Sequence, residues 1–165
     1  MKILVIGESC KDIYQYGKSY RLAPEAPVPV FQPYKTVING GMAMNVYNNV
    51  KSLGAQVDII TNKNWETIEK ERFVDEKTNQ MFLRVDKNDN TYGVCDDSIF
   101  EIIEDYDAII ISDYDKGFLS NEIISKICNT YAGPLPVKPV TISIFFSDET
   151  IYVLPTSSKT LISCF

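Results

Sequence analysis

Short apolar runs that stop abruptly in glycine or in polar residues constrain this chain more than any other feature. Ile3-Leu4-Val5-Ile6-Gly7 is one, and Ala108-Ile109-Ile110-Ile111, ending in Ser112-Asp113, is another. An uninterrupted apolar run fits a strand covered on both faces, the condition of a parallel sheet flanked by helices. Between them Met42, Val46, Val50 and Leu53 recur at helical spacing, and Gly54 stands where a left-handed C-terminal cap belongs. The spacing predicts a helix from Gly41 to Leu53, then a second buried strand from Val57 to Thr61. A further helix is predicted from Leu119 to Tyr131, with Ile123, Ile124 and Ile127 inward and Gly133 beyond its end. Strand and helix alternate, so the fold class is α/β.

Two segments interrupt the alternation. Residues 14–34 mix aromatic and polar side chains and carry Pro24, Pro27, Pro29 and Pro33. Proline lacks the ladder donor, so this stretch is expected to form edge strands and loops, a flap outside the core. Arg72–Asp75 and Met81–Asp86 are expected to pair as strands around a turn at Lys77-Thr78-Asn79. Ser98 to Asp105 reads as a short amphipathic helix capped by Ser98, with Ile99, Ile102 and Ile103 on its buried face. After Pro134 the pattern degrades; Leu135 to Phe165 is rich in Thr, Ser, Pro and β-branched residues and is expected to supply one or two strands.

Composition excludes several functions. A chain of 165 residues fits one compact domain. Its net charge of −6 argues against nucleic acid as a partner, since phosphate backbones need a concentrated Lys/Arg surface. Histidine is absent, and Cys10, Cys95, Cys128 and Cys164 form no C-x-x-C pair, which removes the usual zinc ligands and the usual base of nucleophilic triads. No metal site is expected. The thiols read as reduced, so the location is expected to be cytoplasmic. The N-terminal apolar run is too short for a signal peptide, and no run approaches the roughly 20 residues that span a bilayer, so no membrane partner is expected.

Three polar clusters follow the ends of the expected parallel strands: Glu8 with Asp12, Gly40-Gly41 with Asn45, and Asp113-Tyr114-Asp115-Lys116-Gly117. In an open α/β sheet such clusters gather along one edge, where ligands bind. The glycine pair lets backbone approach a bound molecule, and the helix start after it offers free N–H groups. Carboxylates and amides suit sugar hydroxyls, while Lys116 with Arg21 or Arg84 suits a phosphate. Taken singly, each has an ordinary reading: Asp12 as a turn cap, Asn45 as an exposed helix residue, Lys116 as a solvated surface charge.

Taken in order they resemble a family. Ile3–Glu8 with Asp12, the run Arg21-Leu22-Ala23-Pro24-Glu25-Ala26-Pro27-Val28-Pro29-Val30, Gly40-Gly41 with Asn45, Leu53-Gly54-Ala55, and Ser112–Gly117 resemble the N-terminal half of ribokinase-like (PfkB) carbohydrate kinases. Within that family the similarity is greatest to the heptose-phosphate kinase domain of bifunctional ADP-heptose synthesis enzymes. The resemblance covers residues 1–134. It implies part of a three-layer α/β/α sandwich with a small β lid, built from about 14–34 and 72–86, that closes over the sugar and supports a homodimer. It implies ATP-dependent phosphoryl transfer to a sugar or sugar phosphate, with ATP and Mg²⁺ in the intact family. Asp12, Gly40, Gly41 and Asn45 match sugar-pocket positions, and Asp113 and Lys116 match the strand-end motif.

The departures from the family carry equal weight. Glu8 stands where many relatives have Asp, which would offer the pocket a longer carboxylate. The Gly-Ala-Gly-Asp run that carries the family's general base and phosphoryl-stabilising helix start is not reproduced in 135–165, a divergent tail that reads as truncated or frame-shifted. No catalytic residue is therefore assigned, and the chain is expected to be inactive alone. The alternative is a non-catalytic sugar-phosphate-binding or dimerisation module. A Rossmann dehydrogenase is disfavoured, because Gly7-Glu8-Ser9 lacks the G-x-G-x-x-G fingerprint.

Overall fold

The computed structural model describes residues 2–93 and 95–130, together with the backbone of three later strands. In chain order the elements are β1 (Lys2–Gly7), β2 (Ser9–Leu22), β3 (Pro29–Met42), α1 (Ala43–Ser52), β4 (Gln56–Ile60), β5 (Glu69–Asp75), β6 (Met81–Lys87), β7 (Ala108–Asp113), α2 (Asn121–Thr130), β8 (Val140–Phe145), β9 (Thr150–Leu154) and β10 (Ile162–Cys164). They form two sheets. The larger has the order β10-β9-β8-β7-β1-β4, and the smaller β3-β2-β5-β6.

Both apolar runs become central strands: β1 lies between β4 and β7, parallel to both. Alternation of side chains along β1 then fills two cores. Ile3 and Val5 pack with Ala43, Ala108 and Ile110 beneath α1. Leu4 and Ile6 pack on the opposite face with Ile109, Ile111, Ile99, Ile103, Ile124 and Ile127. Helix, sheet and helix form three layers, the α/β architecture expected from the alternation. Gly7 ends β1 because the two strands converge there; a Cβ on it would overlap the carbonyl oxygen of Ser112.

Several local expectations change. Gly40 and Gly41 do not belong to the helix or its start: they are paired within β3, opposite Lys11 and Cys10, Met42 ends the strand, and α1 starts at Ala43. The Ala43 N–H is already taken by the carbonyl of Glu8, at 2.8 Å. Residues 14–34 are the outer parts of two 14-residue antiparallel strands and the connection 23–28 between them, which holds Pro24 and Pro27. The prolines are tolerated because β3 is an edge strand, and Pro33 sits beside a bulge where the register slips between Tyr16 and Gly17.

The Ser98–Asp105 helix is two short 3₁₀ turns, Asp97–Glu101 and Ile103–Asp105. Its cap is Asp96, which accepts the Ser98 N–H at 3.0 Å, since an acid two residues back closes the turn first. Ile102 faces outward, because the tighter winding moves it off the face that carries Ile99 and Ile103. Ser120 caps α2 by accepting the Ile123 N–H at 3.1 Å, so the last helix starts at Asn121. Tyr131 and Gly133 lie outside the described residues. The tail adds three strands, not one or two: β8 runs parallel to β7, and β9 and β10 follow antiparallel.

Candidate functional site

The two sheets meet at the C-terminal ends of β1 and β7. Glu8 is the single residue between β1 of the large sheet and β2 of the small one. Its side chain is fully buried, and its carboxylate accepts the backbone N–H groups of Tyr114 at 2.9 Å, Lys116 at 3.1 Å and Phe118 at 3.2 Å. Burial pushes its pKa up, as does the charge of Asp113, against the lowering pull of those N–H groups. Glu8 is therefore not a longer carboxylate offered to a sugar: buried, it is engaged by three main-chain N–H groups and by the Asp113 side chain.

Asp12, four residues on, does face the junction. Its Oδ1 accepts Arg72 Nη1 at 2.7 Å, and both side chains are mostly buried, 18% and 19% exposed. Gly41 lies directly beneath; a Cβ there would come within 2.6 Å of Asp12 Oδ2 and 2.7 Å of Cys10 Sγ. The Arg72 guanidinium also lies 5.2 Å from the Tyr14 ring centre, a second restraint on its plane. Cys10 is an inert wall of the site: burial, with Asp12 beside it, pushes its thiol up to about 12.

Registers decide which charges share this face. Asp12 pairs with Lys70 and Tyr14 with Arg72, while Lys70 pairs with Asp86 and Arg72 with Arg84. All six side chains project to one side of the small sheet. Arg84 grips Asp86 through two hydrogen bonds, Nε–Oδ1 at 2.7 Å and Nη2–Oδ2 at 2.8 Å, which lowers the Asp86 pKa. Lys70 is only 7% exposed and makes no ion pair within 4.0 Å among the described residues. Arg72 and Arg84 lie directly opposite each other, each paired with its own carboxylate, Asp12 and Asp86. Lys116 approaches from the large sheet, its Nζ 2.5 Å from Asp89 Oδ2, and its carbonyl accepts the Thr91 hydroxyl.

Asp12, Gly41, Asp113 and Lys116 of the expected set thus gather at the junction, with Arg84 on the adjoining strand. Gly40 is adjacent, packed against Met44. Asn45 is exposed on α1. Arg21 lies nine residues beyond Asp12 on β2, roughly 30 Å at strand rise. Arg72 and Lys70 were missed by sequence reasoning, although their i, i+2 spacing in a strand was a signal that both point one way. Asn62 was also missed: fully buried, its Oδ1 accepts the Ser9 N–H at 2.7 Å and steadies the joint after Glu8. Among the described residues no group of three or more Asp, Glu, Cys or His is placed to hold a metal ion by itself.

The chain is 39% identical to the bifunctional protein HldE of Helicobacter acinonychis, over an alignment covering 76% of this chain and 34% of that protein. It is 30% identical to HldE of Nitratiruptor sp., covering 84% and 36%. Its backbone superposes on phosphofructokinase-2 from Escherichia coli, solved with fructose-6-phosphate, with a TM-score of 0.56 at 11% identity, covering 89% of this chain and 55% of that one. The chain is similar to part of HldE and shares the backbone fold of phosphofructokinase-2. A putative phosphofructokinase from Staphylococcus aureus shares that fold, at a TM-score of 0.53 and 8% identity, covering 87% of this chain and 52% of that one. No protein-family model matches. The chain spans about a third of the length of the HldE proteins it matches. No helix among the described residues is long and apolar enough to cross a membrane.

Proposed function

We propose that this chain forms the acceptor side of a sugar-phosphate kinase, taking a heptose phosphate between its two sheets. The observation that carries this reading is the group of three cations on one face of the small sheet: Lys70, nearly buried and in register between Asp12 and Asp86, with Arg72 and Arg84 beside it. Three cations against two carboxylates leave this face with an excess of positive charge that an anion would offset. A phosphate on the substrate completes this face, with Arg72 and Arg84 supplying fork-shaped donors. Asp12 is placed to accept sugar hydroxyls, and Gly40 and Gly41 let the sugar approach the backbone.

In the reaction, ATP transfers its γ-phosphoryl group to a sugar hydroxyl. That step needs a base and charge stabilisation on the nucleotide side. The sequence contains no Gly-Ala-Gly-Asp run, so these residues by themselves are proposed to bind acceptor without turnover. Cytoplasmic location and a homodimer through the small sheet belong to the same proposal; Leu22, Ile38 and Leu83 are exposed on that sheet.

Calorimetric titration of the 165-residue chain with heptose 7-phosphate and with the unphosphorylated heptose tests the reading. Binding only of the phosphorylated sugar is expected. Equal binding of both would remove the phosphate from the proposal, and ATP-dependent turnover would show that a base is present.

A further inference from the structure

The loop that follows β7 is built like an anion-binding site, and its anion is a side chain of this protein. Asp115 and Gly117 adopt left-handed backbone, at φ 54° and 86°. Residues alternating between right- and left-handed conformations turn successive N–H groups toward one point, a concavity that elsewhere holds phosphate or carboxylate. Here the N–H groups of Tyr114, Lys116 and Phe118 converge on the Glu8 carboxylate. No cation pairs with Glu8 among the described residues. A carboxylate is acceptor only and satisfies three donors at once, whereas an amide would turn its own N–H₂ group toward one of them.

The main chain at Glu8 makes the connection wider. Its carbonyl accepts the Ala43 N–H that opens α1, two residues after Gly41, and the next N–H, of Ser9, is held by Asn62. One residue thus ties together the joint between the sheets, the start of α1 and the loop carrying Asp113 and Lys116.

We propose that Glu8 is a positioning residue: its carboxylate fills the 113–118 loop and holds Asp113 and Lys116 in register with Asp12 and Gly41 across the joint between the sheets. The inference rests on the acceptor-site reading above, and it adds how that site is kept assembled. Glu8 touches no substrate in this account and acts through the loop.

Amide hydrogen exchange and heptose 7-phosphate binding test it on the full chain. In Glu8→Gln, exchange at Tyr114, Lys116 and Phe118 is expected to quicken by about tenfold or more. Affinity for heptose 7-phosphate is expected to fall about tenfold. Glu8→Asp, which keeps the charge, is expected to restore both in part. Unchanged exchange in Glu8→Gln would overturn the proposal whatever the site binds. Faster exchange with unchanged affinity, while Arg72→Ala loses binding, would also overturn it and leave the acceptor reading standing.

A wild type that binds no heptose phosphate would defeat the acceptor reading and with it the positioning role. In the unmodified chain the amides of Tyr114, Lys116 and Phe118 are expected to exchange about tenfold more slowly than that of Gly117 between them. Equal rates would overturn the proposal even if no Glu8 variant folds.

Discussion

Asp12 and Arg72 meet at 2.7 Å, although 60 residues separate them in sequence. The contact exists because β2 follows β1 of the large sheet after one residue and pairs in parallel with β5, bringing Asp12 against the second basic residue of β5. Both groups are largely shielded from water, so the pair is stronger than a surface ion pair.

Arg72→Ala is expected to leave the Asp12 carboxylate half-shielded and without its donor. Hydrogen bonds to charged groups contribute about 1.5–3 kcal/mol, so a stability loss of about 1–2 kcal/mol is expected in urea unfolding. Affinity for heptose 7-phosphate should fall about tenfold or more, and Arg72→Lys should recover only part, since a point charge does not replace the fork. Wild-type affinity in Arg72→Ala would remove this arginine from the site.

Gly41→Ala places a methyl group within 2.6 Å of Asp12 Oδ2 and 2.7 Å of Cys10 Sγ. Overpacking of this kind costs about 1–3 kcal/mol. A fall in the urea midpoint together with loss of sugar-phosphate binding is expected, whereas Gly54→Ala, where a Cβ meets nothing within 4 Å, should keep binding and show only backbone strain. Equal binding by both variants would contradict the close approach at Gly41.

Lys116 is paired with Asp89, and in the proposed site it also meets the ligand's phosphate. Asp89→Asn is expected to change stability by only about 0.5 kcal/mol, because both side chains are about a third exposed. It frees the lysine, so phosphate-ligand affinity should hold or rise, while Lys116→Ala should lower it. Titration calorimetry on the two variants checks the sign; a parallel loss in both would mean that Asp89 itself contacts the ligand.

Burial raises Glu8 and Asp113, which also face each other and Tyr114 as titratable neighbours. The folded chain therefore keeps their protons to higher pH than the unfolded chain does, and the stability this contributes is fully present below the usual 3.8 and 4.5 and lost as pH rises through the folded values. Asp86, held low by Arg84, acts in the opposite sense and only as pH falls below 3.8. Urea midpoints measured from pH 4.5 upward should fall in the wild type and fall less in Asp113→Asn. Parallel curves would show that Asp113 is not raised.

The core was legible because it is local. β1 and β7 follow from apolar runs, the turn at 77–79 from its polar residues between strand-like stretches, and the end of α1 from Gly54, which takes φ 83°. Each is a property of a few neighbouring residues. The site was legible only in part. Asp12, Gly41, Asp113 and Lys116 were marked by their place after strands, but the role of Glu8 was misread, and Arg72 and Lys70 were passed over, because their meaning depends on which strands pair.

The sequence by itself determined the alternation of buried strands and helices, the absence of histidine chemistry and the edge along which polar groups gather, since periodicity and composition act over short range. Only the tertiary structure decided that the glycine pair lies within a strand and that Glu8 fills a loop of its own chain. It alone set Asp12 against Arg72 beside Lys70 and Arg84, because register between strands tens of residues apart is a property of the packed sheet and of no single segment.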